Sequence, residues 1–291
     1  MQRLAIAVSR EYDRFHPDDL PLIEALPRFG MRPEPCVWND PNLDWSAFDG
    51  VLVRTIWDYY RRYPEYLAWL ERLERTGLPV LNPLPVLRWN ADKRYLVELE
   101  SAGVEVIASR IVERGTLADA FVAIGADEIV AKPAISAGAF HTLRIRRDDA
   151  QAHEAAFAEL LRHAPAIVQP YVPEVASAGE WSLMFFGGRY SHAVHKLPRA
   201  GDFRVQEKHG GSADPARAPD HLVAQAAVML EGIAAAGYAG LAYARIDGVE
   251  VDGRLRLMEA ELIEPQLFLA DQPQSAIAFA RTIVDALKSR A

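Results

Sequence analysis

The run Leu255-Arg-Leu-Met-Glu-Ala-Glu-Leu262 decides how this chain reads. It is strand-like, and residues i and i+2 of a strand face the same side, so Glu259 and Glu261 share a face. A third acid, Asp247, ends the preceding run Gly240-Leu-Ala-Tyr-Ala-Arg-Ile-Asp247. If the two runs pair as a hairpin, three carboxylates converge at one place. Hard oxygen donors in that arrangement suit Mg²⁺ carrying the phosphates of a nucleotide, because Mg²⁺ prefers carboxylates, waters and phosphate oxygens. An ATP-using enzyme is therefore the expectation against which the rest of the chain is read.

Working outward, the last third is rich in hairpins. Trp181 to Phe186, Gly187-Gly188 and Arg189 to Val194 read as strand, turn and strand. Asp220 to Ala236 carries Leu222, Ala226, Met229 and Ile233 at helical spacing, Ser212 to Pro219 reads as an exposed loop, and a helix from Pro273 to Leu287 closes the chain. Upstream, Asp92 can cap a helix to Ala102, and Val104 to Val112 is strand-like. Thr116 to Ile124 is a helix, Ile129 to Pro133 a short strand, and Ala134 to His141 a small-residue segment. A helix from Asp148 to Arg162 and a strand from Ala166 to Val172 follow. The first part alternates strand and helix: Leu4 to Val8, Leu20 to Phe29, Val51 to Val53, Tyr63 to Arg75, then Val80-Leu81. That rhythm predicts a small parallel sheet with helices on its faces.

The 291 residues suffice for two or three modest domains, and the composition, 50% hydrophobic and 25% charged, is that of an ordinary globular chain. A net charge of −8 argues against a general nucleic-acid or anionic-membrane binder, since both need a basic face. The single cysteine, Cys36, excludes an intramolecular disulfide and a Cys-based zinc site, and reads as a small buried hydrophobe. No run approaches the roughly 20 apolar residues of a membrane span. The first eight residues are too soon interrupted by charge for a signal peptide, so a cytoplasmic location is the expectation.

The familiar nucleotide signatures, the P-loop and the dinucleotide-binding glycine fingerprint, are absent. Two lysines offer another route to phosphates. Lys132 ends an apolar strand just before the small-residue segment, and Lys93 sits in the first turn of its helix. Alone, each reads as a solvated surface lysine. Taken in order, however, Asp92-Lys93, Val130-Ala-Lys-Pro133, Val168-Gln-Pro-Tyr-Val172, Gly179-Glu180, Phe203-Arg204, Asp247 and Glu259-x-Glu261 resemble the ATP-grasp ligases, the superfamily of glutathione synthetase and D-alanine–D-alanine ligase. A closer likeness, to the D-cycloserine biosynthesis branch with its O-ureido-D-serine cyclo-ligase, runs through Arg54-Thr-Ile-Trp-Asp-Tyr59, Arg88 to Tyr95, Lys132 to Gly138, Gln169-Pro-Tyr171 and Glu261 to Phe268.

The resemblance implies an α/β (α+β) ATP-grasp fold. A small parallel α/β domain over 1–88 precedes two α+β lobes, 89–172 with the lid segment and 173–291 with the metal site, that clasp ATP. It implies that Lys93 and Lys132 contact phosphates, that Gln169, Tyr171 and Val172 form the strand whose backbone meets adenine, and that Glu180 takes the ribose hydroxyls. Asp247, Glu259 and Glu261 would hold one or two Mg²⁺ ions, with Mn²⁺ as an alternative, and Arg204 would stabilise the phosphorylated intermediate. Such a division suits phosphoryl transfer, which needs positive charge around a spreading negative one. Two departures stand out: the family usually has asparagine where Glu261 and Gln206 stand here. His209, before Gly210-Gly211, could border the reacting centre, without metal-ligand spacing to any other histidine.

Arg54, Trp57 and Asp58 follow the C-terminal end of the second strand, where ligands bind in open α/β sheets. Arg54 could pair a substrate carboxylate bidentately and Asp58 an amino group, with Trp57 as a wall. Packing of a strand–helix corner reads equally well. The expected reaction phosphorylates a small amino-acid-like carboxylate and lets a nitrogen of the same molecule displace the phosphate beneath a closed lid. Alternatives are an intermolecular amide ligase, a kinase releasing its phosphorylated product and a silent nucleotide-binding module. A homodimer is the working expectation for assembly.

Overall fold

The computed structural model describes residues 1–199, 201, 202, 204, 205 and 210–289. The chain alternates as expected at its start. β1 (Gln2–Val8), α1 (Leu20–Ala25), β2 (Met31–Val37), β3 (Gly50–Val53), α2 (Tyr63–Thr76) and β4 (Val80–Leu81) build a parallel sheet of order β2-β1-β3-β4. β1 sorts its side chains by alternation: Leu4, Ile6 and Val8 enter one core while Ala5 and Ala7 face another, against the Trp38, Trp45 and Trp69 layer. Small alanines leave room for the indoles on that face. α1 is shorter than the sequence suggests, because Pro27 turns Leu26–Phe29 into a 3₁₀ turn that ends at Gly30.

α3 (Leu84–Asn90) and α4 (Arg94–Ser101) lead to the second sheet, which comprises β5 (Arg110–Val112), β6 (Glu128–Pro133), β7 (Leu143–Arg146) and β8 (Ala166–Pro170) in the order β5-β8-β6-β7. α5 (Leu117–Ile124), started by a Thr116–Asp119 capping box, and α6 (Ala150–His163) cover it. The strand expected over 104–112 is divided between two sheets. Around Val106, Ile107 N donates to Leu257 O and Glu105 O accepts from Leu257 N of the third sheet, whereas Arg110 to Val112 pair with β8. This crossing segment joins the two lobes.

After the short α7 (Glu174–Ser177) come β9 (Glu180–Phe186), β10 (Arg189–Leu197), β11 (Ser212–Ala216), α8 (Asp220–Ala235), β12 (Tyr243–Val251) and β13 (Arg254–Glu261). They form an antiparallel sheet of order β11-β10-β9-β12-β13. The expected acidic hairpin is present: Asp247 lies opposite Glu259, and Arg245 opposite Glu261. The expected loop at 212–219 is corrected, since Ser212 to Ala216 are the edge strand β11. α9 (Pro273–Lys288) returns to the N-terminal sheet, where Phe279, Ala280 and Ile283 pack with Leu4 and Ile6. Gly50 permits that approach, because a Cβ there would meet Leu287 Cδ2 at 2.6 Å. No helix of the described residues is long and apolar enough to cross a membrane.

Candidate active site

A bulge aims the acids. Leu255 and Leu257 are buried in the core beneath the third sheet, and so are Ala260 and Leu262, so the buried phase of β13 shifts from odd to even residues. The shift is Met258, the extra residue between the pairs Gly248–Leu257 and Asp247–Glu259. Bulges re-aim side chains in this way. The partner strand needs Gly248 here, since a Cβ would lie 2.8 Å from the Arg256 carbonyl oxygen. Beyond the bulge, Met258, Glu259 and Glu261 line a cleft of about 620 Å³. The free edge of β13 is fixed by polar side chains from α3 and α4. Asn90 binds Leu262 N and Ala260 O, and Tyr95 hydroxyl meets Ala260 N at 2.9 Å.

The three expected metal ligands face this one cleft, yet they do not form a compact cage. Among the described residues no group of three or more His, Cys, Asp or Glu side chains is close enough to hold a metal ion. Asp247 explains much of this. Its carboxylate accepts from Ser182 Oγ at 2.5 Å and from Arg245 Nη2 at 2.7 Å, with Lys196 Nζ 3.4 Å away. Burial opposes its ionisation, but Arg245 and Lys196 overcome that and hold the carboxyl down at about 2. Glu259 is half-buried; desolvation opposes its ionisation, but Lys93 at 3.0 Å and Lys132 at 3.7 Å keep it below the usual range. Glu261 differs. Burial pushes it up to about 7 against the pull of Arg245, with repulsion from Asp247 and Glu259 adding to the rise. The all-oxygen donor set fits Mg²⁺ held by one or two carboxylates and the phosphates it accompanies, rather than an all-protein site.

The lysines come from separate elements of the chain. Lys93, at the start of α4, donates to Ser136 O at 2.5 Å as well as to Glu259. Lys132, at the end of β6, has its ammonium pKa lowered by burial and by Lys93. Glu180 is ion-paired to Lys196 at 2.9 Å, and burial raises its carboxyl. Gln169, Tyr171 and Val172 also line the cleft. Gln169 Nε2 donates to Ser109 Oγ at 2.9 Å, on the segment that crosses between lobes. Tyr171 N is committed to Glu128 O, and its ring lies 3.6 Å beneath the Arg144 guanidinium. Arg204 reaches the cleft, with its guanidinium held by Asp202 at 2.8 Å. Phe203, Gln206 and His209 lie outside the described residues.

The expected substrate side chains separate. Trp57 lines the cleft. Arg54 does not: it is 1% exposed, paired to Asp19 at 2.8 Å, and donates to Pro265 O at 3.0 Å. A guanidinium buried under the loops as a strut is not at the cleft surface to meet a substrate carboxylate. Asp58 accepts from Trp38 Nε1 at 2.8 Å and is not part of the cleft lining. Three functional-looking groups escaped the sequence reading. Arg245 shares the face of Asp247 at i−2, and Lys196 lies opposite Glu180 in the β9–β10 register, so strand periodicity could have found both. Glu264, whose carboxyl burial and Glu261 push up to about 8, sits in an irregular segment that gives no periodic signal.

With the geometry in place, comparison with known proteins agrees across the whole chain. Residues 4–82 match the family described as D-cycloserine synthetase DcsG, N-terminal domain. The cycloserine biosynthesis protein DcsG of Streptomyces lavendulae is 35% identical over 282 residues, covering 92% of this chain and 93% of that protein. The crystal structure of D-cycloserine synthetase DcsG superposes with a TM-score of 0.85 at 34% identity, over 98% of this chain and 99% of that one. A D-alanine–D-alanine ligase from Bacillus anthracis, 16% identical, shares the fold with a TM-score of 0.75 over 100% of this chain and 99% of that one. The chain belongs to the D-cycloserine synthetase (DcsG) family of ATP-grasp ligases.

Proposed function

We infer that the chain is an ATP-dependent cyclo-ligase that closes a small amino-acid-like molecule through a new C–N bond, an activity belonging with antibiotic biosynthesis. The observation that carries this reading is the meeting of Lys93, Lys132 and Glu259, contributed by α4, β6 and β13, in one ion-paired knot facing the cleft. Two ammonium groups aimed at one place suit the phosphates of ATP. The γ-phosphoryl group passes to the substrate carboxylate, giving an acylphosphate and ADP. A nitrogen of the same molecule then attacks the acyl carbon, and phosphate leaves. Intramolecular attack enjoys effective molarities of about 10⁵ M or more, so no second substrate pocket is needed.

In this reading Lys93 and Lys132 hold the phosphates. Val172 offers the hinge backbone to adenine, because the Tyr171 amide is already committed, while Gln169 and Tyr171 flank the base. Glu180 takes the ribose. Glu259 and Glu261, with Asp247 beside them, hold Mg²⁺, which when bound neutralises charge on the phosphates. Arg204 leaves Asp202 for the transferring group. The segment 134–141 closes over the acylphosphate to exclude water. The reading takes 1–88, 89–172 and 173–291 as the three lobes and the enzyme as a cytoplasmic homodimer.

The test is ADP release against a panel of D- and L-amino acids that includes O-ureido-D-serine. A single compound that drives ADP formation and yields a cyclic product supports the cyclase. A requirement for a second amine would make it an intermolecular ligase. ATP binding with no turnover on any compound would make it a silent module.

A further inference from the structure

Four consecutive carbonyls just after β13 are each held by a different side chain. Glu264 O accepts from Trp57 Nε1 at 2.8 Å, and Pro265 O from Arg54 Nη2 at 3.0 Å. Gln266 O accepts from Arg245 Nη1 at 2.9 Å, and Leu267 O lies 2.8 Å from His192 Nε2. From the amide side, Asp18 accepts from Leu267 N at 3.0 Å and Ala270 N at 3.3 Å. Irregular backbone is ordinarily free to move, yet this segment is tied as closely as a strand. Its alternate residues Glu264, Gln266 and Phe268 line the cleft, while Pro265 and Leu267 are not part of the lining. Fixing a backbone so that every second side chain faces a cavity is how a binding surface is preorganised.

The surroundings of Glu264 define what it could bind. Tyr12, His16 and Trp57 form an edge-to-face trio with ring centroids 5.0, 5.1 and 4.9 Å apart, and all three line the same cleft. Asp247, Glu259 and Glu261 each have a cationic partner, whereas Glu264 has no ion pair among the described residues. An acid with no ion pair of its own, in a cleft that also presents three aromatic rings, matches a small organic cation, whose binding would draw off the proton that burial favours. Arg54 is removed from the surface, and Arg245, which lines the cleft, is already committed to Asp247, Glu261 and Gln266 O.

We propose that Glu264, in the cleft that Tyr12, His16 and Trp57 also line, receives the ammonium group of the substrate, with Gln266 and Phe268 shaping the pocket beside it. The proposal rests on the cyclo-ligase reading for its substrate class and deepens it. It puts the amino group against the N-terminal wall, which leaves the carboxylate facing Lys93, Lys132 and Arg204.

Calorimetry with O-ureido-D-serine and with 3-(ureidooxy)propanoate, the same molecule lacking its amine, tests this without requiring turnover. In the presence of a non-hydrolysable ATP analogue, the wild type should bind the amine-bearing compound about 10-fold or more tightly than its counterpart. Glu264→Gln should bring the two affinities within about threefold while leaving the affinity for the ATP analogue and the melting temperature unchanged. Trp57→Phe, which keeps the ring but loses the bond to Glu264 O, should narrow the ratio partly. A wild type that does not discriminate, or a Glu264→Gln protein that keeps the full ratio, overturns the assignment. ADP release by the wild type, measured separately, decides the cyclo-ligase reading whichever way binding falls.

Discussion

Asp247 is the residue at which expectation and geometry part most usefully. Spacing placed it with Glu259 and Glu261, and it is there, but Arg245 and Lys196 already neutralise it. Glu259 is the better placed to share a metal with phosphates, since its partners are the two lysines that those phosphates would recruit. Glu259→Gln should therefore lower kcat by at least about 10²-fold while the melting temperature holds. Turnover near wild type would remove the metal role. Arg54 behaves differently because it is buried. Arg54→Ala leaves Asp19 without its counter-ion in the core and Pro265 O without its donor, so a loss of about 3–5 kcal/mol is expected in urea unfolding. The sequence could not show this, because an arginine after a strand reads the same whether it faces a ligand or a buried aspartate. His192 adds a pH dependence. Burial lowers its pKa from 6.5, opposed by its bond to Leu267 O. As the pH falls through 6.5 the unfolded chain takes up a proton that the folded chain resists. Stability should thus decline from about pH 6.5 downward until the folded value is reached. The difference between wild type and His192→Gln, measured as urea midpoint against pH, should shrink over that window. A constant difference would refute it.

At the scale of elements, the strands that the sequence hid share a physical cause. β2 carries Pro33 and Pro35, and β11 carries Pro215; both lie at the edge of their sheets. Proline lacks a ladder donor and is tolerated only where one side of the strand goes unpaired, so the residue that marks an edge also masks the strand. The acidic hairpin was legible because both its strands are long and alternate. Its bulge at Met258 was not, since an extra residue leaves no mark in composition. The segment 134–141 was legible as flexible chain, yet its docking was not. Phe140 packs against Tyr60 with centroids 5.3 Å apart, and Arg61 lies 5.7 Å over the Phe140 ring. One ring thus ties this segment of the second sheet to the N-terminal unit, and the proposed function makes that segment a lid. Phe140→Ala should loosen that closure and let water reach the acylphosphate. The expected result is an ADP-to-product ratio severalfold above one, with ATP affinity little changed. A ratio that stays at unity would mean the latch has no part in excluding water.

At the scale of the molecule, chain order and spatial order diverge at α9. Its helical period and its Pro273 start were legible, but nothing local says that it leaves the third sheet to cover the first one. Only the burial of Leu4, Ile6 and Leu52 on one face of the N-terminal sheet demands such a cover, and that demand could be met by any apolar helix. Phe279, Ile283 and Leu287 are each nearly or fully buried there. At about 1.5–3 kcal/mol apiece, they supply an amount comparable with the total stability of a domain, about 5–15 kcal/mol. The N-terminal unit therefore should not survive without the C-terminal helix. Cys36 reports on this directly. It lies on β2 with 3% exposure, and burial pushes its thiol up to about 12, so it should resist a thiol reagent at neutral pH in the intact protein. A chain ended after Gln272 should expose that thiol and react at the rate of the urea-unfolded protein. If Cys36 stays protected after the truncation, the first sheet holds together by itself, and α9 is an ornament on its surface rather than half of its core.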